Sequence, residues 1–317
     1  MIMKASIAND LLIPMEMIED ALENAYIYIK QFNMPKRNGG YRRISQPSGK
    51  LKTIQYWLIK NLFQKIPVHV AAKAYLPRIS ILDNAKEHKN NNYFLKLDLK
   101  DFFQSIKFDV LLDVLKRNRK DIKWVLDRAT LELIKKACFD KNNSLPIGYP
   151  TSPIISNIVM FDFDSAVVEL IKDEFFTEKI IYTRYADDLV FSTNQKGAYK
   201  QLLAKIETLI TNTSKPNIQI NKSKIHISSR SGGSAIVTGL RIANDGHITI
   251  HRKEKDHVRL LLSLLKKRKL IEEEYGSLLG HISYIQHVDL KFYKKLNLKY
   301  FREINDLKQL INRDSFY

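Results

Sequence analysis

The sequence predicts an α+β fold, an antiparallel sheet backed by helices. Three observations predict it. Two runs rich in β-branched and aromatic residues bracket an acidic pair in "IIYTRYADDLVFS" at 180–192, the pattern of a hairpin in a core. Strand-like and helix-like stretches alternate on both sides of that hairpin, which suits helices laid on one sheet. The tail, 253–312, has helical spacing throughout. With 317 residues, 44% of them hydrophobic, the chain is long enough for two or three packed subdomains.

Residues 14–31 read as an amphipathic helix. "NGGYRRISQPSGK" reads as loop and strand, and Leu51, Ile54, Leu58, Leu62 and Ile66 then recur at helical spacing. "NYFLKLDLKDFF" alternates apolar residues with charges and reads as a strand. Helical patterns follow at 108–117 and 122–138. Residues 152–172 read as one long, mostly buried helix. Two strands meet at "YADD", a helix covers 198–212, and strands cover 217–229, 235–243 and 247–251. The chain therefore divides into 1–92, a basic α/β segment behind an N-terminal helix; 93–251, a strand–helix–strand core with an excursion around 105–150; and 252–317, a helical tail.

Charge narrows the partners. Lys and Arg number 52 against 34 Asp and Glu, a formal net charge of +18 with a pI near 9.7. From Asn24 to Leu82 eleven bases, Arg37 among them, occur with no Asp or Glu. A solvated structural surface mixes signs, so an uninterrupted basic run points to phosphates, of a nucleic acid or of a substrate. The single cysteine, Cys138, excludes an internal disulfide and a cysteine-based zinc site. The N-terminus carries acids among its apolar residues and does not read as a signal peptide, and no apolar run is long enough for a bilayer. A cytoplasmic protein without a membrane partner is expected.

Asp187 and Asp188 sit side by side in the hairpin, and like charges there repel and lose hydration. Two readings fit: a solvated turn, or a cation site completed by a third acid. Asp98, between Leu97 and Leu99 on its own strand, is the candidate third acid, since a lone carboxylate in an apolar strand is costly unless paired. Mg²⁺, with Mn²⁺ as its substitute, takes a few carboxylates plus substrate phosphates.

Taken in order, "RISQPSGKLKTIQYWL", "KAYLPRISILDNA", "LDLKDFFQSI", "LPIGYPTSP", "YADD", "NIQINKSKIHI" and "AIVTGL" resemble the motifs of reverse transcriptases, over nearly the whole chain. The resemblance implies a right-hand polymerase of fingers (1–92, with the excursion around 105–150), palm (93–251) and RNA-binding thumb (252–317). It makes Asp98, Asp187 and Asp188 the catalytic, metal-binding acids. It puts Phe103 where the family places an aromatic gate against a ribose 2′-hydroxyl; packing in the core is the other reading of that ring. Pro146, Gly148, Ser152 and Pro153 fit the motif that shapes the nucleotide pocket. Lys224 matches a lysine that acts on pyrophosphate, or is a plain surface lysine. Arg43, Lys52 and Arg78 are candidates for the triphosphate, a role that suits the bidentate fork of Arg. Where the family usually has Gln, this chain has Ile147, which cannot hydrogen-bond.

Two further elements resemble the retron branch: Asn84, Ala85 and His88 in "DNAKEH", and Val237, Thr238 and Gly239 in "VTG". Their plainer readings are a helix end and a strand. The retron resemblance implies an enzyme without RNase H, maturase or endonuclease domains. It would copy part of a structured non-coding RNA, using dNTPs, into single-stranded DNA that starts from an RNA 2′-hydroxyl. It also implies a role in anti-phage defence with an effector protein. A different small bacterial reverse transcriptase, of the abortive-infection or diversity-generating type, and a non-catalytic RNA-binding scaffold are the competing readings. In the tail, Lys266, Lys267, Arg268 and Lys269 form one basic cluster, and Lys291, Lys294, Lys295, Lys299 and Arg302 a second, interleaved with Tyr293, Tyr300 and Phe301. They read as an RNA-binding surface or as a solvated helix face.

Overall fold

The structure is a computed structural model that describes residues 2–36, 39–233 and 235–314; Arg37 of the basic run lies outside them. The chain forms two compact units, one of Met1–Ile79, Leu95–Phe191 and Lys196–His226, the other of Ser80–Phe94, Ser192–Gln195 and Ile227–Tyr317.

In the first unit the N-terminal helices Ile2–Leu11 and Met15–Glu23 pack beside the helix Gly49–Asn61. The predicted helix 14–31 stops at Glu23, because Lys30–Pro35 (β1) pairs antiparallel with Tyr41–Gln46 (β2), Lys30 opposite Gln46 and Pro35 opposite Tyr41. Every residue of β1 is exposed, so no burial pattern marks it as a strand. Ser48 starts the next helix by accepting from the Leu51 N–H. The five apolar positions expected on one face, Leu51 to Ile66, are all buried, though the α-helix itself ends at Asn61.

The strands Tyr93–Asp98 (β3), Ile181–Tyr185 (β4), Asp188–Thr193 (β5) and His226–Ser229 (β6) form a sheet in the order β4-β5-β3-β6. The helices Phe108–Arg117 and Ala198–Asn212 fall where the periodicity puts them. The predicted helix 122–138 starts late, at Arg128, where Asp127 caps it by accepting from Thr130 N–H. The predicted helix 152–172 is two, Thr151–Val159 and Phe161–Glu174, divided at Met160. The predicted strand 217–229 becomes a strand only at His226; before it come a single bridge from Ile220 to Leu99 and a 3₁₀ turn at Lys222–Lys224.

In the second unit the predicted strand 235–243 folds back on itself. Thr238 and Gly239 take positive φ, 47° and 82°, and form the turn between Ile236–Val237 (β7) and Leu240–Ile242 (β8). Ile248–Thr249 (β9) completes this small antiparallel sheet. Among the described residues the tail forms the α-helices Arg252–Lys266, Tyr275–Val288, Leu290–Lys299 and Phe301–Asp314. The buried Asp289 ties three of these pieces together. Its carboxylate accepts from Phe292 N–H at the start of its own helix, from the Thr249 hydroxyl on β9, and from Lys255 Nζ at 2.9 Å on the first tail helix. Burial alone raises its pKa, but these donors outweigh burial and hold it below the usual carboxylate value.

Candidate active site

The two-residue connection between β4 and β5 puts Ala186 at φ 57°, and its N-terminal flank carries a buried polar network. Arg184 and Asp164 are both fully buried and joined by two-pronged bonds, Nη2 to Oδ2 at 2.7 Å and Nε to Oδ1 at 2.9 Å. Tyr182 donates its hydroxyl to the same carboxylate at 2.7 Å, and Arg184 also donates to Asn157 Oδ1 at 3.2 Å. Breaking a buried pair strands a charge, so the hairpin is held by groups that must stay together. Sequence reasoning does not single out this network, although its signal, an Arg inside an otherwise apolar strand, is present in "IYTRY".

The hairpin separates its two carboxylates. Asp188, the first residue of β5, pairs with Lys96 of β3 at 2.9 Å. Asp187 joins Asp98 as lining of a pocket of about 280 Å³, which Asp188 does not line. Burial, then the charges of Asp188 and Asp98, raise the pKa of Asp187. Lys224 Nζ sits on Asp98, 2.9 Å from Oδ1 and 3.0 Å from Oδ2.

Phe103 lines the same pocket and also packs against the core. Ile147 faces the pocket and its carbonyl accepts from the Ser45 N–H of β2 at 2.8 Å. Gly148 beside it is required: its φ is 110°, and a Cβ there would lie 2.7 Å from the Ser45 carbonyl. Ser152 supports this loop through its hydroxyl, which donates to the Pro146 carbonyl at 2.7 Å. Arg43 lines the pocket and bonds Gln31 across the β1–β2 hairpin. Lys52 and Arg78 do not line it. Residues missed from the sequence are Arg42, Lys36, Tyr41, Lys100 and Asn221, all lining. So does Tyr75, whose phenol pKa is raised by burial and by Asp187. The basic run signals Lys36 and Arg42; nothing local signals Tyr75.

The two elements that resemble the retron branch meet within the second unit. Asn84, Ala85 and His88 are buried on the helix Ile81–His88, capped by Ser80 and Asp83. Thr238 donates its hydroxyl to the Ile81 carbonyl at the start of that helix, 3.1 Å away. Val237 is buried beside it and Gly239 supplies the turn. His88 Nδ1 lies 2.7 Å from the Ser192 hydroxyl. In the tail, Lys266, Lys267, Arg268, Lys269, Lys294, Lys295 and Lys299 are exposed. The spacing would put Arg302 on one helical face with Lys291–Lys299, but it lies in the first turn of a separate helix, Phe301–Asp314, because the preceding helix ends at Lys299 with Tyr300 as its C-cap. Tyr300 is buried and packs, whereas Phe301 is exposed.

The family model described as reverse transcriptase (RNA-dependent DNA polymerase) matches residues 34–273. Retron Ec73 reverse transcriptase of Escherichia coli is 44% identical over 290 residues, covering 90% of each chain. The chain belongs to the retron reverse transcriptases. Retron Ec83 reverse transcriptase of Escherichia coli is 35% identical, covering 89% of this chain and 94% of its own. An apo telomerase from Candida tropicalis shares the polymerase fold, with a TM-score of 0.53 at 15% identity; it aligns over 88% of this chain, which spans 58% of the telomerase's length. No helix among the described residues is long and apolar enough to cross a membrane.

Reverse transcriptases generally use divalent metal ions. The residues of this polymerase fit one. The Lys224 ammonium already puts positive charge on Asp98, and Asp187 lies half-buried beside it, its pKa raised by burial and by the charges of Asp188 and Asp98. No group of three or more His, Cys, Asp or Glu is gathered for a metal among the described residues. Water and substrate phosphate would supply the remaining ligands of such a divalent ion.

Proposed function

We propose that this RNA-dependent DNA polymerase copies part of a structured non-coding RNA into single-stranded DNA, primed from a 2′-hydroxyl of that RNA, to give a branched RNA–DNA hybrid. In this reading it works in the cytoplasm, in anti-phage defence beside an effector protein. The observation that carries the reaction is the pocket itself: the carboxylates of Asp98 and Asp187, the ring of Phe103 and a cluster of bases on one concave surface. The retron relatives carry the choice of template.

Asp98 and Asp187 would hold Mg²⁺, with Mn²⁺ able to replace it. The ion supplies Lewis-acid polarisation of the phosphate and eases ionisation of the attacking hydroxyl. Arg42, Arg43 and Lys36 surround the nucleotide's phosphates. Phe103 abuts its sugar. Lys224 shifts from Asp98 towards pyrophosphate. Asp188, the third acid, stays beside Asp98 and Asp187 in its ion pair with Lys96. Lys52 and Arg78, off the pocket, would serve the nucleic-acid backbone instead. Residues 1–92 act as fingers, 93–251 as palm and 252–317 as an RNA-binding thumb. The basic clusters at Lys266–Lys269 and Lys294–Lys299 face that RNA.

Sequencing the nucleic acid that co-purifies with the protein tests the reading. A short branched RNA–DNA species is expected. Linear cDNA alone would make it another kind of bacterial reverse transcriptase, and RNA alone a scaffold.

A further inference from the structure

Tyr75 is a tyrosine held in a left-handed conformation, φ 61°, at the edge of the pocket. A non-glycine residue pays for that conformation in strain and keeps it only where its surroundings impose it. Here they do. Asn157 Nδ2, buried, donates to the Ala74 carbonyl at 2.8 Å. Lys73 N–H donates to the Arg184 carbonyl and Arg184 N–H to the Ala71 carbonyl, each at 2.8 Å. The buried Arg184–Asp164 network therefore clamps the segment on which Tyr75 stands, as well as the catalytic hairpin.

What this strain achieves is the position of the ring. Tyr75 is 49% exposed, and its ring centroid lies 6.4 Å from that of Phe103 with the planes at 53°. Phe103 is supported on its other side by Phe102, 5.4 Å away. Two rings, Tyr75 and Phe103, thus stand side by side as an apolar wall in a pocket that also carries Lys36, Arg42, Arg43, Asp98, Asp187 and Lys224. A rigid apolar wall rejects a hydroxyl it cannot hydrogen-bond only if it cannot yield.

We propose that Tyr75 is a sugar-specificity residue, the second ring of a wall whose first is Phe103, and that it acts by holding that wall against the 2′ edge of the nucleotide's sugar. This rests on the reading of the pocket as a nucleotide site. Discrimination then depends on the Tyr75 ring and not on its hydroxyl.

The test is primer extension with single dNTPs and rNTPs, reading the ratio of the two kcat/KM values. Tyr75→Gly removes the ring and suits the positive φ; Tyr75→Asn, also tolerant of that conformation, replaces it if the glycine variant does not fold. Either should raise ribonucleotide use relative to deoxyribonucleotide by roughly tenfold, the scale of one apolar pocket contact. Tyr75→Phe should leave the ratio within about twofold of the unmodified protein, because it keeps the ring. Combining Tyr75→Gly with Phe103→Ala should add little to Phe103→Ala alone, because the two rings act as a unit. A ring-deleted variant that extends with dNTPs at an unchanged ratio overturns the inference and leaves the polymerase reading standing. A ratio that changes as much in Tyr75→Phe as in Tyr75→Gly also overturns it. Failure of the unmodified protein to extend any primer overturns both.

Discussion

At the scale of single residues, an acidic pair in a hairpin is tolerable because the fold sends the two carboxylates different ways. Asp188 finds Lys96, and Asp187 meets Asp98 under the Lys224 ammonium. Removing the carboxylate of Asp98 or of Asp187 should therefore be unequal to removing a surface charge. Asp187→Asn or Asp98→Asn is expected to slow primer extension by about 100-fold or more, the scale of one preorganised catalytic charge. Melting temperature and RNA affinity should stay near those of the unmodified protein; near-normal extension by either variant would remove it from the catalytic set. Ile147 marks the other side of the pocket, held by its carbonyl to Ser45 whatever its side chain. Ile147→Gln is expected to lower the KM for dNTP or leave it unchanged, since an amide adds a hydrogen-bonding group. A several-fold rise in steady-state KM would show that the pocket is built around an apolar side chain here.

At the scale of elements, the devices that matter are ties between pieces distant in sequence. Thr238 in a turn bonds the first carbonyl of the helix bearing Asn84, Ala85 and His88. Asp289 joins β9, the first tail helix and the third. Because the folded protein depresses its pKa, Asp289 stabilises the fold above the ordinary carboxylate pKa, about 3.9, and that contribution is lost as pH falls through the folded value. Asp289→Asn should cost roughly 1.5–3 kcal/mol near neutral pH, the range for hydrogen bonds to a charged group. The deficit should shrink on acidification towards pH 3. Denaturant unfolding of both proteins across that range measures it, and a deficit independent of pH would mean the carboxylate charge is not what holds the helices.

At the scale of the whole molecule, the formal charge of +18 is the dominant long-range property. The tail alone carries fifteen Lys and Arg against nine Asp and Glu. Lys294, Lys295 and Lys299 are exposed together on one helix, although Lys299 also lies 5.3 Å from the Tyr300 ring centroid. Replacing all three by Gln should weaken binding of the co-purifying RNA. It should also flatten the dependence of log K on log salt by about one unit for each phosphate that loses its lysine. Extension of a generic primed template should suffer less. Titrations at several salt concentrations decide it: unchanged affinity and slope would make this a solvated helix face.

The sequence by itself determined the α+β class, the core hairpin, the helices 108–117 and 198–212, and the pocket's Asp98, Asp187, Phe103 and Arg43. Those follow from local periodicity and from charged or aromatic residues standing where neither a plain core nor a solvated surface favours them, with resemblance supplying their roles. Only the tertiary structure decided the rest. It put Lys52 and Arg78 off the pocket and Tyr75 and Arg42 on it. It ended a helix at Glu23 to pair two strands, the first of them exposed along its whole length, and split another at Met160 where the apolar spacing runs on unbroken. It also sent Asp188 to Lys96. The reason is common to these cases: each depends on a partner far along the chain, such as Ala74 for Asn157 or β2 for β1, and local spacing carries no information about where that partner will be.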